Sequence, residues 1–333
     1  MIRGTSQHHD LGADNRTELT GDARPKGGPI AVLPRPNQQF ADAVLAGGGT
    51  VEPLSDATRG IVWLSEKQAD ELREILETHP GIGWVQLPWA GVDAFADILA
   101  DYAADGPLWT SAKGAYSEPV AEQALALTLA LLRNFPEKAH GTSWEHTKRG
   151  RSLYGLEVVI VGAGGIAKEI MRLLAVFDVT ITVVRRSAAP LEGANRTVAA
   201  EHLADVLPTA DVVIIAAAST GETAQLFGEQ QFRIMKEEAV LVNIARGALI
   251  DTDALVDALA SGSIAGAGLD VTDPEPLPDG HLLWSEPRCL ITSHSADTPE
   301  MTAPLLANRI RLNVEAFLGR DGFVGVVDPT AGY

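Results

Sequence analysis

Short apolar runs alternate with amphipathic stretches along the chain from about residue 29 onward. Residues 30–33 are continuously apolar, which predicts a buried strand, and residues 66–77 carry apolar side chains at helical spacing. The same alternation restarts near residue 156 and continues more regularly. Further strands are predicted at residues 60–64, 82–87, 158–161, 180–184, 212–216, 239–244, 266–269 and 290–292. Strands that alternate with helices are typical of α/β domains with parallel, doubly wound sheets, so the pattern predicts this fold class.

The predicted elements fall into two groups, and 333 residues are enough for two domains. Residues 119–296 contain one complete strand–helix series. Residues 29–118 contain the other, and the last predicted helix is expected to return to it, so that this domain consists of residues 29–118 and 297–333. Prolines near both crossings mark a predicted hinge. Residues 1–28 are polar and rich in glycine, and we expect them to form a disordered extension.

A helix predicted at residues 118–134 is apolar on most sides. Leucines occur on several of its faces, among them Leu125, Leu127 and Leu129. A helix of this kind is expected to be buried at a domain junction or in a subunit interface. We therefore predict a homodimer built around this helix and the segment that follows it, up to Tyr154.

Composition narrows the functional class. Hydrophobic residues make up 46% of the chain, and the formal net charge of −18 argues against nucleic acid as a ligand because phosphates would be repelled. The longest apolar stretch, residues 124–132, is too short to span a membrane, and no metal site is expected. A single cysteine, Cys289, suits a reducing cytoplasm. Its position at the start of a predicted strand argues against a nucleophilic role.

A glycine-rich loop joins a predicted strand to a predicted helix at residues 158–177. The loop reads Gly-Ala-Gly-Gly-Ile-Ala, the G-x-G-x-x-A pattern of dinucleotide-binding sites in its required context. Gly162 permits the tight turn, Gly164 lets a pyrophosphate approach the backbone, and the small Ala167 lets the helix pack on the sheet. The helix amino terminus offers N–H groups and partial positive charge to phosphates. The loop therefore predicts binding of NAD or NADP.

The next predicted strand ends in Arg185, Arg186 and Ser187. NAD-binding sites usually place a carboxylate near this point, where it accepts from the ribose 2′-hydroxyl. Arg185 takes that place, and two arginines with a serine suit a 2′-phosphate instead. We expect NADP(H) to be favoured and NAD(H) to be possible. The alternative is that both arginines are solvated surface residues.

Three polar segments in the last third of the chain each follow a predicted strand. They contain Arg246, Glu275 and His294, and the carboxyl ends of strands are where open α/β sheets bind ligands. The segments read N-x-x-R-G, L-D-V-x-x-x-E-P and T-x-H-x-A. Together with the glycine loop, and in this order, they resemble the D-isomer-specific 2-hydroxyacid dehydrogenase family. The resemblance extends over nearly everything from about residue 30 onward.

This resemblance implies two Rossmann-like domains, of which the discontinuous one binds substrate and is flavodoxin-like, while residues 119–296 bind the dinucleotide. It implies a homodimer with its active site in the cleft, and a small 2-oxo acid or D-2-hydroxy acid as substrate, of the glyoxylate or hydroxypyruvate type. Arg246, Glu275 and His294 would be catalytic. Ala90 and Gly91, with Arg246, would bind the substrate. Cofactor contacts are implied for Gly162, Gly164, Gly165, Ile166, Arg185, Arg186, Ser187, Thr220, Ala245 and Asp270, the last of these at the nicotinamide end.

Elementary chemistry agrees with the implied roles. Hydride transfer to a ketone requires a proton donor, and histidine can donate near neutral pH. Glu275 would orient the imidazole of His294 and favour its charged form, and Arg246 can bind a carboxylate and polarise a carbonyl. Each residue alone has a structural alternative, as a surface ion pair, a loop charge or a hydrogen-bonded histidine. Their joint occurrence favours catalysis.

Three positions depart from the family pattern. Ser293 and Ala218 replace frequent prolines, and Gln123 stands where many members have histidine. None of these changes removes a catalytic group. Two alternatives stay open: a phosphoglycerate dehydrogenase, which often carries an additional carboxyl-terminal regulatory domain for which this chain has no room, and a cofactor-sensing protein like the corepressors of the same superfamily.

Overall fold

The computed structural model describes His8 and residues 16–139, 141–144 and 146–330. The chain divides into two compact units. Unit 1 consists of the residues up to Ser117 together with those from Thr298, and unit 2 is the continuous segment Glu118–Asp297. Each unit has its own parallel sheet, which confirms the predicted α/β class.

Unit 1 is built on a sheet of four parallel strands. Its elements are β1 (Arg16–Thr17), β2 (Ile30–Leu33), α1 (Gln38–Ala46), β3 (Gly60–Trp63), α2 (Ala69–Thr78), β4 (Trp84–Gln86), α3 (Ala96–Asp101) and β5 (Leu108–Thr110), followed after unit 2 by α11 (Pro299–Phe317) and β13 (Phe323–Val324). Strands β2 to β5 pair in that order, and Val51 adds a parallel bridge to Ile30 of β2. If Val51 is counted as a strand of its own, it is the second in the chain after β2 and lies outside β2 at the edge of the sheet. Numbered in this way by position along the chain, the five strands have the order 2-1-3-4-5, which is the flavodoxin-like order.

The last helix, α11, belongs to unit 1 and is tied to its sheet by buried contacts. Asn313 Nδ2 donates to Gln86 Oε1 at 2.7 Å, and the rings of Trp84 and Phe317 lie 5.1 Å apart. The guanidinium of Arg309, fully buried, donates to the carbonyl oxygens of Ser111 (2.7 Å) and of Lys113.

Unit 2 is built on seven parallel strands. Its elements are α4 (Ser117–Leu132, which begins at the last residue of unit 1), α5 (Phe135–Ala139), β6 (Glu157–Val161), α6 (Gly165–Leu174), β7 (Thr180–Arg185), β8 (Arg196–Ala199), α7 (Leu203–Val206), β9 (Val212–Ile215), α8 (Glu229–Ile234), β10 (Val240–Asn243), α9 (Thr252–Ser261), β11 (Gly266–Leu269), α10 (Leu282–Ser285) and β12 (Cys289–Ile291). The sheet order is β12-β11-β10-β9-β6-β7-β8. The order reverses between β6 and β9, which makes the sheet a doubly wound Rossmann sheet with a ligand-binding crevice expected at that point.

A charged cluster closes the amino edge of this sheet. Asp211, directly before β9, accepts from Arg151 (2.7 Å), from Lys236 (2.9 Å) and from the N–H of Glu157 (3.0 Å). Burial by itself raises the pKa of the Asp211 carboxyl, but these hydrogen bonds outweigh it and hold the pKa below its ordinary value. The cluster therefore fixes the starts of several strands through one carboxylate.

The predicted disordered extension is wrong for residues 16–28. Arg16–Thr17 form β1, which pairs antiparallel with Phe323–Val324, and the guanidinium of Arg24 donates to the carbonyl oxygen of Ala316 at 2.9 Å. Polar composition suggested disorder, but backbone pairing with a distant strand needs no apolar side chains. Residues 1–7 and 9–15 lie outside the described residues.

The apolar pattern missed several short elements, among them β8, β5 and α1, and it misplaced the ends of others. Strand β8 is an edge strand whose one buried side chain is Val198, β5 has three residues, and α1 has a short apolar face. The helix predicted from residue 66 begins at Ala69. No helix in the described part of the chain is long and apolar enough to cross a membrane. Burial raises the pKa of the Cys289 thiol to about 12, and nearby Glu286 adds to this, in keeping with a structural cysteine.

Candidate active site

The glycine loop lies at the carboxyl end of β6, where the sheet order reverses. Gly162 has φ +117°, and a Cβ there would collide with the carbonyl group of Ala216. A Cβ on Gly164 would meet nothing within 4 Å. The first glycine is therefore required by the fold, whereas the second borders open space next to the backbone.

Helix α6 begins at Gly165, directly after this open space. Ala167 is fully buried, so the first turn of the helix lies close to the sheet. The unpaired N–H groups and partial positive charge of a helix amino terminus suit an anion. Open space over Gly164, together with these donors, fits the pyrophosphate of a dinucleotide.

Arg185 is the last residue of β7 and is half-buried, while Arg186 and Ser187 follow it on the exposed loop. Its backbone pairs with Ala199 at the end of β8. Strand β7 neighbours β6 on the side away from β9. The three residues therefore lie at the same sheet edge as the glycine loop, one strand away from it.

Arg246 follows β10 in a loop that its neighbours hold in place. Asn243 Nδ2 donates to the carbonyl oxygen of Arg246 at 2.9 Å, and Asn243 Oδ1 accepts from the N–H of Ala245 at 3.1 Å. A Cβ on Gly247 would collide with the backbone of Thr272. This close approach brings the Arg246 loop against the loop that follows β11.

His294 and Glu275 form a hydrogen-bonded pair at this edge. His294 Nδ1 lies 2.6 Å from Glu275 Oε1, and the two side chains are 49% and 42% exposed. The N–H of Thr272 also donates to Glu275 Oε2, at 3.4 Å. An ionised carboxylate can only accept, so Nδ1 carries a proton and Nε2 is the nitrogen left to exchange one with a ligand.

Asp270 is only 2% exposed and organises the backbone on both sides of His294. It accepts from Thr292 Oγ1 at 2.6 Å and from the N–H groups of Ser295 and Ala296 at 3.0 and 3.1 Å. Its own carbonyl oxygen accepts from the N–H of His294 at 2.5 Å. The carboxylate thus fixes the loop that presents the imidazole.

Asp297, three residues after His294, has a carboxyl pKa above its ordinary range. Burial is the main cause, His294 opposes it, and Asp270 adds to it. The Asp297 carboxyl therefore lies in the electrostatic environment of the histidine.

In unit 1, the loop after β4 contains Ala90 and Gly91 and is fixed at both sides. Tyr116 Oη donates to the carbonyl oxygen of Pro88 at 2.7 Å, and the N–H of Ala112 donates to that of Trp89 at 3.0 Å. Among the described residues, the N–H groups of Ala90 and Gly91 have no protein acceptor. The loop thus presents two backbone donors on a fixed support.

Sequence comparison identifies the family to which this geometry belongs. Residues 125–296 match the model for the NAD-binding domain of D-isomer specific 2-hydroxyacid dehydrogenases. The chain belongs to this family. It is therefore an NAD(P)-dependent D-2-hydroxyacid dehydrogenase, and the fold class implied by the resemblance is confirmed.

Several relatives span most of the chain. It is 36% identical to an uncharacterized protein of Corynebacterium melassecola, over 87% of this chain and 95% of the relative. It is 32% identical to the glyoxylate reductase of Pyrococcus furiosus, over 80% of this chain and 81% of that one. A D-isomer specific 2-hydroxyacid dehydrogenase from Xanthobacter autotrophicus, solved with NADPH and MES, is 25% identical, with a TM-score of 0.78 over 92% of this chain and all of the other.

Most of the site residues predicted from the sequence lie at the carboxyl edge of the sheet in unit 2 of this dehydrogenase. Gly165 and Ile166 open α6, Ala245 lies in the Arg246 loop, and Thr220 follows β9, its N–H donating to Thr223 Oγ1 at 2.8 Å. The roles assigned to these residues, including contact of Asp270 with the nicotinamide, stay predictions.

Sequence reasoning missed the support of the histidine loop. The T-x-H-x-A segment points to its histidine, but its threonine, Thr292, also has a role, because its hydroxyl donates to Asp270. Gln123, which departs from the family pattern, donates from its Nε2 to Thr292 Oγ1 at 3.0 Å. Residue spacing along the chain carries no signal for a contact across 169 positions.

Proposed function

We propose that the enzyme reduces a small 2-oxo acid of the glyoxylate or hydroxypyruvate type to the D-2-hydroxy acid, with NADPH as the preferred reductant. The observation that carries the proposal is the His294–Glu275 pair at 2.6 Å, on the same sheet edge as the glycine loop and the Arg246 loop. A proton donor, a cation and a dinucleotide-binding loop are the groups that reduction of a 2-oxo acid requires. Glyoxylate reductase is the activity of a relative that this chain matches along most of its length.

His294 acts as the proton donor in this proposal. Its Nδ1 proton is held by Glu275, so the proton that moves leaves Nε2 and arrives on the carbonyl oxygen as the carbonyl π bond breaks. Bound NADPH would supply the hydride to the carbonyl carbon. Neutral imidazole, hydrogen-bonded to Glu275, is left behind and regains a proton from solvent.

Arg246 and the loop after β4 bind the substrate in this proposal. The Arg246 guanidinium pairs with the carboxylate and draws charge toward the carbonyl oxygen. Backbone N–H donors on a fixed loop, such as those of Ala90 and Gly91, are suited to binding a substrate carboxylate. Neither interaction requires a metal ion.

NADP is favoured over NAD because of Arg185 and its two successors. The 2′-phosphate carries nearly two negative charges, and Arg185, Arg186 and Ser187 offer it charge-assisted hydrogen bonds. The residue at the end of β7 would be a carboxylate in a site built for the ribose hydroxyls. The Xanthobacter autotrophicus relative was solved with NADPH.

We also propose a homodimer and a cytoplasmic location. The segment after α4 exposes Phe135, Trp144 and Tyr154, and Trp144 is 85% exposed, which is unusual for a surface that stays in water. Light scattering should give twice the monomer mass, and Trp144→Glu should lower it.

The cytoplasmic location rests on the single cysteine and is tested by cell fractionation.

A panel of substrates tests the proposed reaction. Glyoxylate, hydroxypyruvate, pyruvate and 3-phosphohydroxypyruvate would each be supplied with NADPH, and the configuration of any chiral product would be determined. Turnover of glyoxylate or hydroxypyruvate, with D-glycerate from the latter, is expected. Preference for the phosphorylated substrate would establish a phosphoglycerate dehydrogenase, and absence of turnover with every substrate would favour the cofactor-sensing alternative. Neither alternative is favoured by the relatives reported above.

A further inference from the structure

Gln123 is joined to the histidine loop by a chain of hydrogen bonds within unit 2. Its Nε2 donates to Thr292 Oγ1 at 3.0 Å, and Thr292 Oγ1 donates to Asp270 Oδ1 at 2.6 Å. Asp270 then accepts the N–H groups of Ser295 and Ala296. The chain runs from the middle of α4 to the residues next to His294.

The chemistry of the groups fixes the direction of each hydrogen bond. An amide NH2 group can only donate, so the Thr292 hydroxyl accepts from Gln123 and its single proton is directed to Asp270. If Gln123 presented Oε1 instead, this oxygen and Asp270 would compete for that one proton. Successive hydrogen bonds also polarise one another where solvent is partly excluded, as it is here. A donor at position 123 therefore strengthens the bond between Thr292 and Asp270.

That bond closes a clamp around two residues in an unfavourable backbone conformation. Ser293 and His294 have φ of +50° and +52°, values that residues other than glycine adopt rarely. Asp270 holds the residue before them through a hydroxyl and the two residues after them through backbone N–H groups. Loosening one side of the clamp lets the histidine leave this conformation.

We infer that Gln123 is a positioning residue for His294. By donating to Thr292, it keeps the Asp270 clamp closed and the imidazole at its place beside Glu275. The amide does not titrate, so the donor is present at every pH at which the enzyme works. This inference deepens the proposed function and rests on it, because it assigns Gln123 a share in proton transfer by His294.

Three substitutions at position 123 separate the hydrogen bond from side-chain size. Gln123→Met keeps the length and removes the donor, Gln123→Glu keeps the shape and replaces the donor by an acceptor, and Gln123→His restores a donor. The first two should lower kcat for reduction about fivefold, the equivalent of one net hydrogen bond, with KM for NADPH nearly unchanged. Gln123→His should retain activity within about threefold of the wild type.

Thr128→Val is the matched control. Thr128 lies on the same helix, is fully buried, and its hydroxyl donates to the carbonyl oxygen of Ala124 at 2.8 Å. This substitution also removes a buried hydrogen bond of α4 but leaves the Asp270 clamp intact. Its kcat should equal that of the wild type.

Amide hydrogen exchange provides a measurement that does not depend on activity. In Gln123→Met and Gln123→Glu, exchange at Ser295 and Ala296 should rise about fivefold at constant global stability, and in Thr128→Val it should not. Unchanged exchange in both variants, or an equal rise in the control, would overturn the inference. So would a kcat within twofold of the wild type in an active enzyme. An inactive wild type would refute the proposed function alone, since exchange would still decide the role of Gln123.

Discussion

Ionisable groups cluster at both edges of the seven-stranded sheet in unit 2, and the two clusters are built in opposite ways. At the amino edge, Asp211 is buried and accepts three hydrogen bonds, two of them from cations. At the carboxyl edge, His294 and Glu275 form one short hydrogen bond and stay nearly half exposed.

The backbone differs between the edges in the same sense. At the carboxyl edge, Ser293 and His294 have positive φ although neither is glycine. At the amino edge, strands β6 and β9 start in regular extended conformation next to Asp211. A fully satisfied buried carboxylate stabilises the fold and leaves no group free to react. An exposed pair on a strained loop contributes little to stability but can exchange a proton with a ligand. The amino edge is therefore built for stability, and the carboxyl edge presents the groups that we propose carry out the chemistry.

His294→Ala is expected to have the largest effect. Losing the proton donor should lower the rate of reduction by roughly two to four orders of magnitude, with little change in thermal stability. Steady-state kinetics and differential scanning calorimetry measure both properties.

His202→Ala is the control for that prediction. His202 Nδ1 lies 2.8 Å from Asp205 Oδ2, so it is also a histidine–carboxylate pair. It follows β8, at the opposite side of the sheet from β12, roughly 29 Å away at the usual strand spacing. If its kcat at saturating NADPH fell as far as that of His294→Ala, the assignment of the proton donor would be lost.

Asp211→Ala should produce the reverse result at the amino edge. Removal of this carboxylate leaves Arg151 and Lys236 without their shared partner, and the free energy of unfolding should fall by about 2–3 kcal/mol, since both cations are about one-third exposed. Because the pKa of Asp211 is lowered in the folded state, its stabilising effect is complete at neutral pH and is lost as pH falls through the acidic range. The difference from the wild type should therefore shrink between pH 7 and pH 3. A large loss of kcat per folded molecule would contradict the assignment of stability to the amino edge and chemistry to the carboxyl edge.

Arg185→Asp tests the carboxyl edge at its adenosine end. The wild type should prefer NADPH over NADH about tenfold to a hundredfold, and the variant should lose or invert this preference. Arg196→Asp makes the same charge change three residues nearer the amino end of the neighbouring strand, roughly 10 Å away, and should keep the preference. Equal catalytic efficiencies with both cofactors in the wild type would show that Arg185 does not recognise the phosphate.

Two glycine substitutions test the loop after β6, and their expected effects differ in kind. Gly162→Ala should lower stability by about 1–3 kcal/mol, because φ of +117° and the Ala216 carbonyl group both exclude a Cβ. Gly164→Ala should fold normally but bind NADPH about fivefold more weakly, since its Cβ projects into open space next to the helix amino terminus. Titration of NADPH by fluorescence distinguishes them. If Gly164→Ala bound NADPH normally, the pyrophosphate would not lie next to Gly164.

Sequence patterns predicted the parts of this enzyme that depend on local order along the chain. The glycine loop, the Arg246 loop and the His294 loop each follow a strand directly, so strand–loop spacing was sufficient to place them on one edge. The link from Gln123 to Asp270, and the pairing of β1 with β13, join residues far apart in sequence. Such contacts depend on how elements pack, and one sequence contains no periodic signal for them. Edge strand β8 was not predicted for a related reason, because a strand with one buried side chain lacks the apolar run of its neighbours.

The return of α11 to unit 1 has a consequence for synthesis of the chain on the ribosome. Unit 2 is continuous, but the first part of unit 1 must wait for residues 118–297, which takes about 10–35 s at usual elongation rates. During that time, Trp84 lacks its ring partners Phe317 and Phe323, and Gln86 lacks Asn313. The nascent chain therefore exposes apolar surface in its first hundred residues while the following unit can already complete its fold. Chaperones that bind nascent chains should accordingly contact the first segment of unit 1 until α11 has been synthesised.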